Sequence, residues 1–200
     1  MKPTWVVFDI GGVLFDWRDT QSDIAQSLGV TEESLLATFR RYVVPLRLGR
    51  ATIDETWSKV LHDLNRPNQP QEILSFYQNN KYHLEDTLQL VQELAAAGYR
   101  QALFSNTWPG LIDLTIKPLP QYSCFTQIVD SSKEHLAKPD PQAFALVEKR
   151  LGVKGGKIYF IDDSETNIAA AKERGWQTFL YDLNGDRGHN SNDLIRKALL

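Results

Sequence analysis

The chain is 200 residues long, with 42% hydrophobic and 24% charged residues. That composition excludes a disordered chain and leaves room for one domain with a small insert, not for two full domains. Twenty-two Lys and Arg against 25 Asp and Glu give a net charge of −3, which argues against a surface built to neutralise a nucleic-acid backbone.

In chain order, Thr4–Asp9 is a short β-branched and aromatic run that ends in an acid and then Gly11-Gly12. Residues 16 to about 84 carry helical patterns and no convincing strand, with helices predicted over 20–28, 31–42, 52–65 and 70–80. Thr52 and Glu55 have the spacing of a capping box, and residues 65–70 form a turn cluster. A helix over 86–97 places Leu88, Val91, Leu94 and Ala95 on one face and stops at Gly98. Further strands are predicted at 100–105, 125–129, 157–162 and 177–181. Helices at 141–151, capped by Asp140 with Pro141 in the first turn, and at 165–174 lie between the later ones. The strands are nearly continuous in apolar character, as strands buried on both faces are. This alternation predicts an α/β fold: a three-layer, Rossmann-like parallel sheet with helices on both faces. The helical block after the first strand reads as a cap over the sheet edge, giving a core of 1–15 and 85–200 and a cap of 16–84. Hinges are expected near Asp16–Thr20 and Tyr82–Asp86.

Ligands of an open parallel sheet bind outside the carboxyl ends of its strands. Four polar clusters fall there: Asp9; Ser105-Asn106-Thr107; Lys138, just before a helix; and Asp162-Asp163-Ser164 with Asn167 one turn on. Helix caps use the same residue types, but four clusters at the matching ends of apolar runs are hard to attribute to capping alone.

The motifs Phe8-Asp9-Ile10-Gly11-Gly12-Val13-Leu14, Ser105-Asn106, Lys138-Pro139 and Ile161-Asp162-Asp163 with Asn167 resemble the four signature motifs of the haloacid dehalogenase-like hydrolases. The resemblance extends over essentially the whole chain, and the glucose-1-phosphate phosphatase-like members look most similar. It implies a phosphatase in which Asp9 is the nucleophile, since a carboxylate can take a phosphoryl group and split one hard displacement into two. Asp162 and Asp163 become metal carboxylates, because adjacent acids beside Asp9 repel unless a cation neutralises them. Mg²⁺ suits such an oxygen site. The resemblance has Asp163 ligating directly, Asp162 directly or through water, and the Gly11 carbonyl as a backbone ligand. Lys138 is expected to neutralise Asp9 and the phosphoryl oxygens, and Ser105 and Asn106 to donate hydrogen bonds to those oxygens. Asn167 is expected to orient the acid pair.

Residue 11 is Gly where most such hydrolases carry the Asp that protonates the leaving oxygen. Another acid such as Asp16 replaces it, the substrate has a good leaving group such as an anomeric oxygen, or turnover is slow or absent. Similar phosphatases with the same Gly argue against the last. Substrate choice is expected in the cap, where Arg40, Arg41, Arg47 and Arg50 cluster. Trp17 and Trp108 are candidate substrate-binding residues; Trp5, Trp57 and Trp176 read as packing. His62, His83, His135 and His189 lack metal-ligand spacing, and Gly155-Gly156-Lys157 precedes a strand, so it is no P-loop.

The leading expectation is a Mg²⁺-dependent phosphatase acting on a small phosphorylated metabolite, a sugar phosphate first. The alternatives are a metal-independent 2-haloacid dehalogenase, with Arg40 or Arg41 clamping the substrate carboxylate, and a non-catalytic protein that binds a phosphorylated ligand. One cysteine, Cys124, permits no internal disulfide. No apolar run approaches the ~18 residues needed to cross a bilayer. The N-terminus does not read as a secretory signal, and the C-terminus has no prenylation motif. A cytoplasmic monomer or homodimer is expected.

Overall fold

The computed structural model describes residues 5–66, 70–78, 82–184, 186 and 188–200. Thr4 of the first predicted strand, residues 67–69 of the turn cluster, the end of the helix predicted to residue 80, and Gly185 and Arg187 of the following loop lie outside them.

Five parallel strands form one sheet: β1 (Trp5–Phe8), β2 (Arg100–Ser105), β3 (Phe125–Asp130), β4 (Ile158–Asp162) and β5 (Gln177–Leu180), in the order β3-β2-β1-β4-β5. Alternate residues of β1 enter opposite layers. Val6 and Phe8 join a core with Leu88, Val91 and Leu94 of α6 (Glu85–Ala96) and Ile195 of α11 (His189–Leu199). Trp5 and Val7 join Phe144 and Val147 of α9 (Pro141–Leu151) and Ile168 of α10 (Glu165–Glu173). All four residues of β1 are buried, which explains why that strand reads as unbroken apolar sequence. The α/β class and parallel sheet expected from the sequence are what the chain adopts.

Five helices lie between β1 and α6: α1 (Trp17–Leu28), α2 (Glu32–Arg40), α3 (Val43–Arg47), α4 (Ile53–Asp63) and α5 (Pro70–Tyr77). The Thr52–Glu55 capping box forms in both directions at the start of α4. Asp140 caps α9 by accepting from the Gln142 N–H, and Pro141 takes the first turn. The chain leaves β1 and returns to α6 side by side. The Asp16 N–H donates to the Tyr82 carbonyl at 2.7 Å, and the Leu84 N–H to the Leu14 carbonyl at 3.0 Å.

Four helices escaped the sequence pattern: α3, α7 (Leu111–Thr115), α8 (Ser131–Glu134) and α11. The first three have four or five residues, too short for a period to register. In α11, Leu194 is exposed while Ser191 and Asn192 are buried, which scrambles the apolar stripe.

Helix α3 sits directly on α8. Ser131 donates through Oγ to the Arg47 carbonyl at 2.7 Å, and the His135 Nδ1 lies 2.8 Å from the Leu48 carbonyl. Gly49 follows with φ +63°, its Cα facing the Ser132 carbonyl where a Cβ would collide with that oxygen. Neither the dihedral nor the contact tolerates a side chain. Gly49→Ala is therefore expected to lower stability by about 1–3 kcal/mol, read as a lower urea midpoint at unchanged m-value.

Candidate active site

The strand order brings the sequence clusters together. Phe8 pairs with Leu103 on one side and Ile161 on the other, so Asp9 emerges beside Asp162, and its N–H donates to the Ile161 carbonyl at 2.9 Å. The chain runs from β1 outward to β3 and then returns to β4 on the opposite flank. The crevice between β1 and β4 is thus the point where an open sheet accepts a ligand.

At its floor lies Lys138, its side chain entirely shielded from solvent. Nζ reaches Asp162 Oδ2 at 2.6 Å, the Phe104 carbonyl at 2.8 Å and Asp9 Oδ1 at 3.0 Å. It also stands 5.1 Å from the ring centre of Phe104 and 5.3 Å from that of Phe160. Burial pulls the ammonium toward neutrality, but the charges of Asp162 and Asp9 outweigh it and hold its pKa above the ordinary value.

Asp162 is fully engaged. Oδ1 accepts from the Ser164 N–H at 2.9 Å and Asn167 Nδ2 at 3.0 Å; Oδ2 accepts from Asn167 Nδ2 at 3.2 Å and from Lys138. A carboxylate has about four lone-pair directions, and all are spoken for. Asp162 therefore reads as the anchor of Lys138, and Asp163 as the acid left for a cation. Asn167, expected to orient the acid pair, bonds Asp162 and not Asp163.

Carboxylate oxygens of Asp9, Asp162 and Asp163 lie within 4.8 Å of one another. Three carboxylates against the single ammonium leave two negative charges, which one divalent ion would balance. Burial, then the charges of Asp162 and Asp163, raise Asp9 to about 6 against the opposing pull of Lys138. Burial and Asp162 also raise Asp163, opposed by a hydrogen bond from Trp17. The hard oxygen donors and unrelieved repulsion fit Mg²⁺. Gly12 makes room for Asp163: at φ +78° its Cα abuts that carboxylate, and a Cβ would overlap it.

Other sequence candidates take different positions. Asn106 closes a two-point contact with the backbone of Lys138, donating to its carbonyl at 2.7 Å and accepting from its N–H at 2.8 Å. Its amide thus positions the lysine. Ser105 lines the cavity above Asp9. Asp16 caps α1, accepting from the Arg18 and Asp19 N–H groups, and does not line the cavity. Capping draws its carboxylate away from a substitute acid's part.

A cavity of about 570 Å³ rises from Asp9 into α1–α3 and α5. Trp17 and Trp108 both line it, as do Arg40 and Arg47, whereas Arg41 pairs with Asp63 on the surface. Trp5, Trp57 and Trp176 are packed in the interior as expected. Gln21 and Tyr77 also line the cavity and were missed, since nothing in helical spacing marks which residues of α1–α5 face the sheet. Ser131 was missed too: its Oγ accepts from the Thr107 N–H at 3.0 Å while bonding α3. The acid-then-Ser ending of β3, at the same sheet edge, was its available signal.

A family model described as haloacid dehalogenase-like hydrolase matches residues 3–175. The chain belongs to the haloacid dehalogenase-like hydrolase family. It is 24% identical to Phosphatase MT3486 of Mycobacterium tuberculosis (strain CDC 1551 / Oshkosh), over 92% of this chain and 90% of that protein. It is 21% identical to (S)-2-haloacid dehalogenase 4A of Burkholderia cepacia, over 90% and 83%. Among solved structures, a family enzyme of Bacteroides thetaiotaomicron in complex with magnesium and inorganic phosphate superposes with a TM-score of 0.70 at 21% identity, covering 94% of this chain and 98% of that one. No helix among the described residues is long and apolar enough to cross a membrane.

Asp9 is held at a cost. With a folded-state value near 6 against an ordinary 3.8, the folded chain carries the extra proton between those pH values, so metal-free stability falls as pH rises through that window. Asp9→Asn, which cannot ionise, is expected to gain roughly 1–3 kcal/mol over the native chain at pH 7.5 in chelator. The gain should vanish near pH 4. Thermal denaturation at both pH values reads it.

Proposed function

We propose that this hydrolase is a Mg²⁺-dependent phosphatase acting on a small phosphomonoester, with Asp9 as the nucleophile. The observation that carries it is Asp163, a carboxylate beside Asp9 and the Lys138–Asp162 pair that has no ion-pair partner of its own among the described residues. A phosphatase of similar sequence and a similar fold holding magnesium and phosphate support the same reading.

Asp9 and Asp163, with the Gly11 carbonyl, are the groups that would hold Mg²⁺. When bound, the ion supplies charge neutralisation for a phosphoryl group approaching two acids. Lys138 fixes the Asp9 carboxylate by its 3.0 Å contact and adds positive charge next to the attacking oxygen. Asn106 holds Lys138 by its backbone, and Ser105 presents a hydroxyl to the cavity. Asp9 attacks phosphorus, an aspartyl-phosphate forms, and water then cleaves it. Residues 16–84 are proposed to act as the cap that closes over this reaction, with residues 1–15 and 85–200 as the catalytic core. A cytoplasmic setting completes the proposal.

The second reading is the metal-free haloacid dehalogenase. The apolar cavity wall and the cap arginines favour it, since a guanidinium can grip a carboxylate in two points. Asp163 opposes it, because its charge would repel the anionic substrate.

Purified protein is expected to release phosphate from 4-nitrophenyl phosphate with Mg²⁺ and to lose at least about 100-fold of that rate after chelation, recovering when Mg²⁺ returns. Asp9→Asn should remove turnover altogether. Chloride released from 2-chloropropionate in chelator, with no phosphate from any ester, would decide for the dehalogenase instead.

A further inference from the structure

The phosphatase reading leaves the leaving group without a proton source. In-line displacement puts the departing oxygen on the side of phosphorus away from Asp9, toward the cavity and the inserted helices. Among the described residues lining that cavity there is no Glu, His or Cys. Its carboxyl groups are Asp9 and Asp163, both already employed on the other side, and Tyr77 is buried beneath the wall, where loss of its proton is disfavoured.

Position 11, the nearest place for a donor, holds Gly. A Cβ there would stand 3.4 Å from Trp17 Cδ1, so the indole of Trp17 already stands over the place a side chain would take. An indole N–H does not serve as an acid in water. Arg40 and Arg47 also line the cavity. A guanidinium keeps its proton but stabilises a negative oxygen, and Arg47, partly withdrawn from water, stands near enough to Asp9 for that carboxylate's charge to act on it.

Hydroxyl and amide groups of Ser105, Asn106, Ser164, Thr166 and Asn167 line the cavity at the sheet end, while the wall facing the helical block is mostly apolar and flat-sided. Phe15, Leu36, Phe39 and Trp108 line it, and the Tyr77 and Trp108 rings meet edge to face at 4.9 Å. The uncharged polar groups that the helical block contributes are the Gln21 amide, the Tyr77 hydroxyl and the Trp17 indole N–H. A sugar presents hydroxyls on every side, and such a wall would leave most of them unpaired.

We infer that this site takes monophosphates of flat, apolar groups whose leaving oxygen is phenolic or enolic and departs without being protonated by the enzyme. The inference rests on the phosphatase reading and narrows its substrate class. As Asp9 bonds to phosphorus, the ester P–O bond breaks and its electron pair leaves on a phenolate or enolate, which collects a proton from bulk water. Water then attacks phosphorus, the bond to Asp9 breaks and Asp9 returns as a carboxylate; one of the water's protons stays on the phosphate product and the other passes to bulk water.

The test compares kcat/KM, which reports the steps up to departure of the leaving group, for 4-nitrophenyl, phenyl, benzyl and glucose 6-phosphate with Mg²⁺. Benzyl phosphate has the same ring but an alcohol oxygen. Benzyl and glucose 6-phosphate are expected to be slower than phenyl phosphate by about 10²–10⁴, the contribution a general acid makes elsewhere. Gly11→Asp should narrow the phenyl-to-benzyl ratio at least about tenfold. For the wall, benzylphosphonate should inhibit at least about tenfold more tightly than methylphosphonate. Benzyl or glucose 6-phosphate within tenfold of phenyl phosphate would overturn the inference and leave the phosphatase standing. Equal inhibition by the two phosphonates would overturn its apolar half. No phosphate from any of the four esters would instead overturn the reading beneath it.

Discussion

The site is organised around a buried ammonium. Lys138 Nζ stands between Asp162 and Asp9 at 2.6 and 3.0 Å, capped by the Phe104 carbonyl and flanked by two aromatic rings. Taking such a charge out of water costs several kcal/mol, recovered only where geometry is good and the remaining donors are satisfied. Three acceptors meet the three N–H bonds, which is the condition for that recovery. Four separate segments must be in place for it: the end of β1, the end of β2, the end of β4 and the loop before α9. Burying the lysine therefore specifies the architecture of the site and supplies its electrostatics in one arrangement.

The division of labour between the adjacent acids follows. Asp162 spends its lone pairs on Lys138, Asn167 and the Ser164 N–H, so its charge is consumed internally. Asp163, one residue on, lies against Gly12, and among the described residues no ammonium pairs with it as Lys138 does with Asp162. Two neighbours of identical chemistry thus serve opposite ends, one holding the lysine and one kept open to a cation. Sequence gives them identical letters; what separates them is that Asp162 ends β4 within reach of Lys138 and Asn167, while Asp163 stands in the bend that follows, against Gly12.

Most of the fold and much of the site are legible in the amino-acid sequence. Strands such as Ile158–Asp162 are apolar, short and bounded, so they declare themselves. Asp9, Lys138 and Asp163 could be placed at one edge because a parallel sheet presents every strand's carboxyl end on the same side. Asn106 and Asp16 were harder. Each carries a polar group whose partner is backbone, either that of Lys138, 32 residues away, or the first turn of α1. No spacing rule anticipates the former. The latter is ordinary capping, and it overrides the pull of nearness to Gly11. The cavity wall was least legible, since four arginines in α2, α3 and their flanks look alike as letters. Which of them turn inward depends on the seating of α3 over α8 through Ser131 and Gly49.

The two glycines after Asp9 carry different constraints. Gly12 is required by the backbone: its φ is +78°, and Asp163 occupies the place of its side chain. Any other residue there would strain the turn and displace the open acid. Gly11 is under neither demand. Its φ lies outside the left-handed region, and the nearest atom to a Cβ would be an indole carbon at ordinary contact distance. The turn would therefore accept a side chain at position 11 with little backbone penalty. A glycine tolerated but not required by the fold points to the cavity as its reason. Trp17 extends across that space with its edge toward Asp163, so the region above Asp9 is bounded there by a flat, unionisable surface. An acid at position 11 would have to share it with the indole, and the wall and the proton donor are thus alternatives for the same volume.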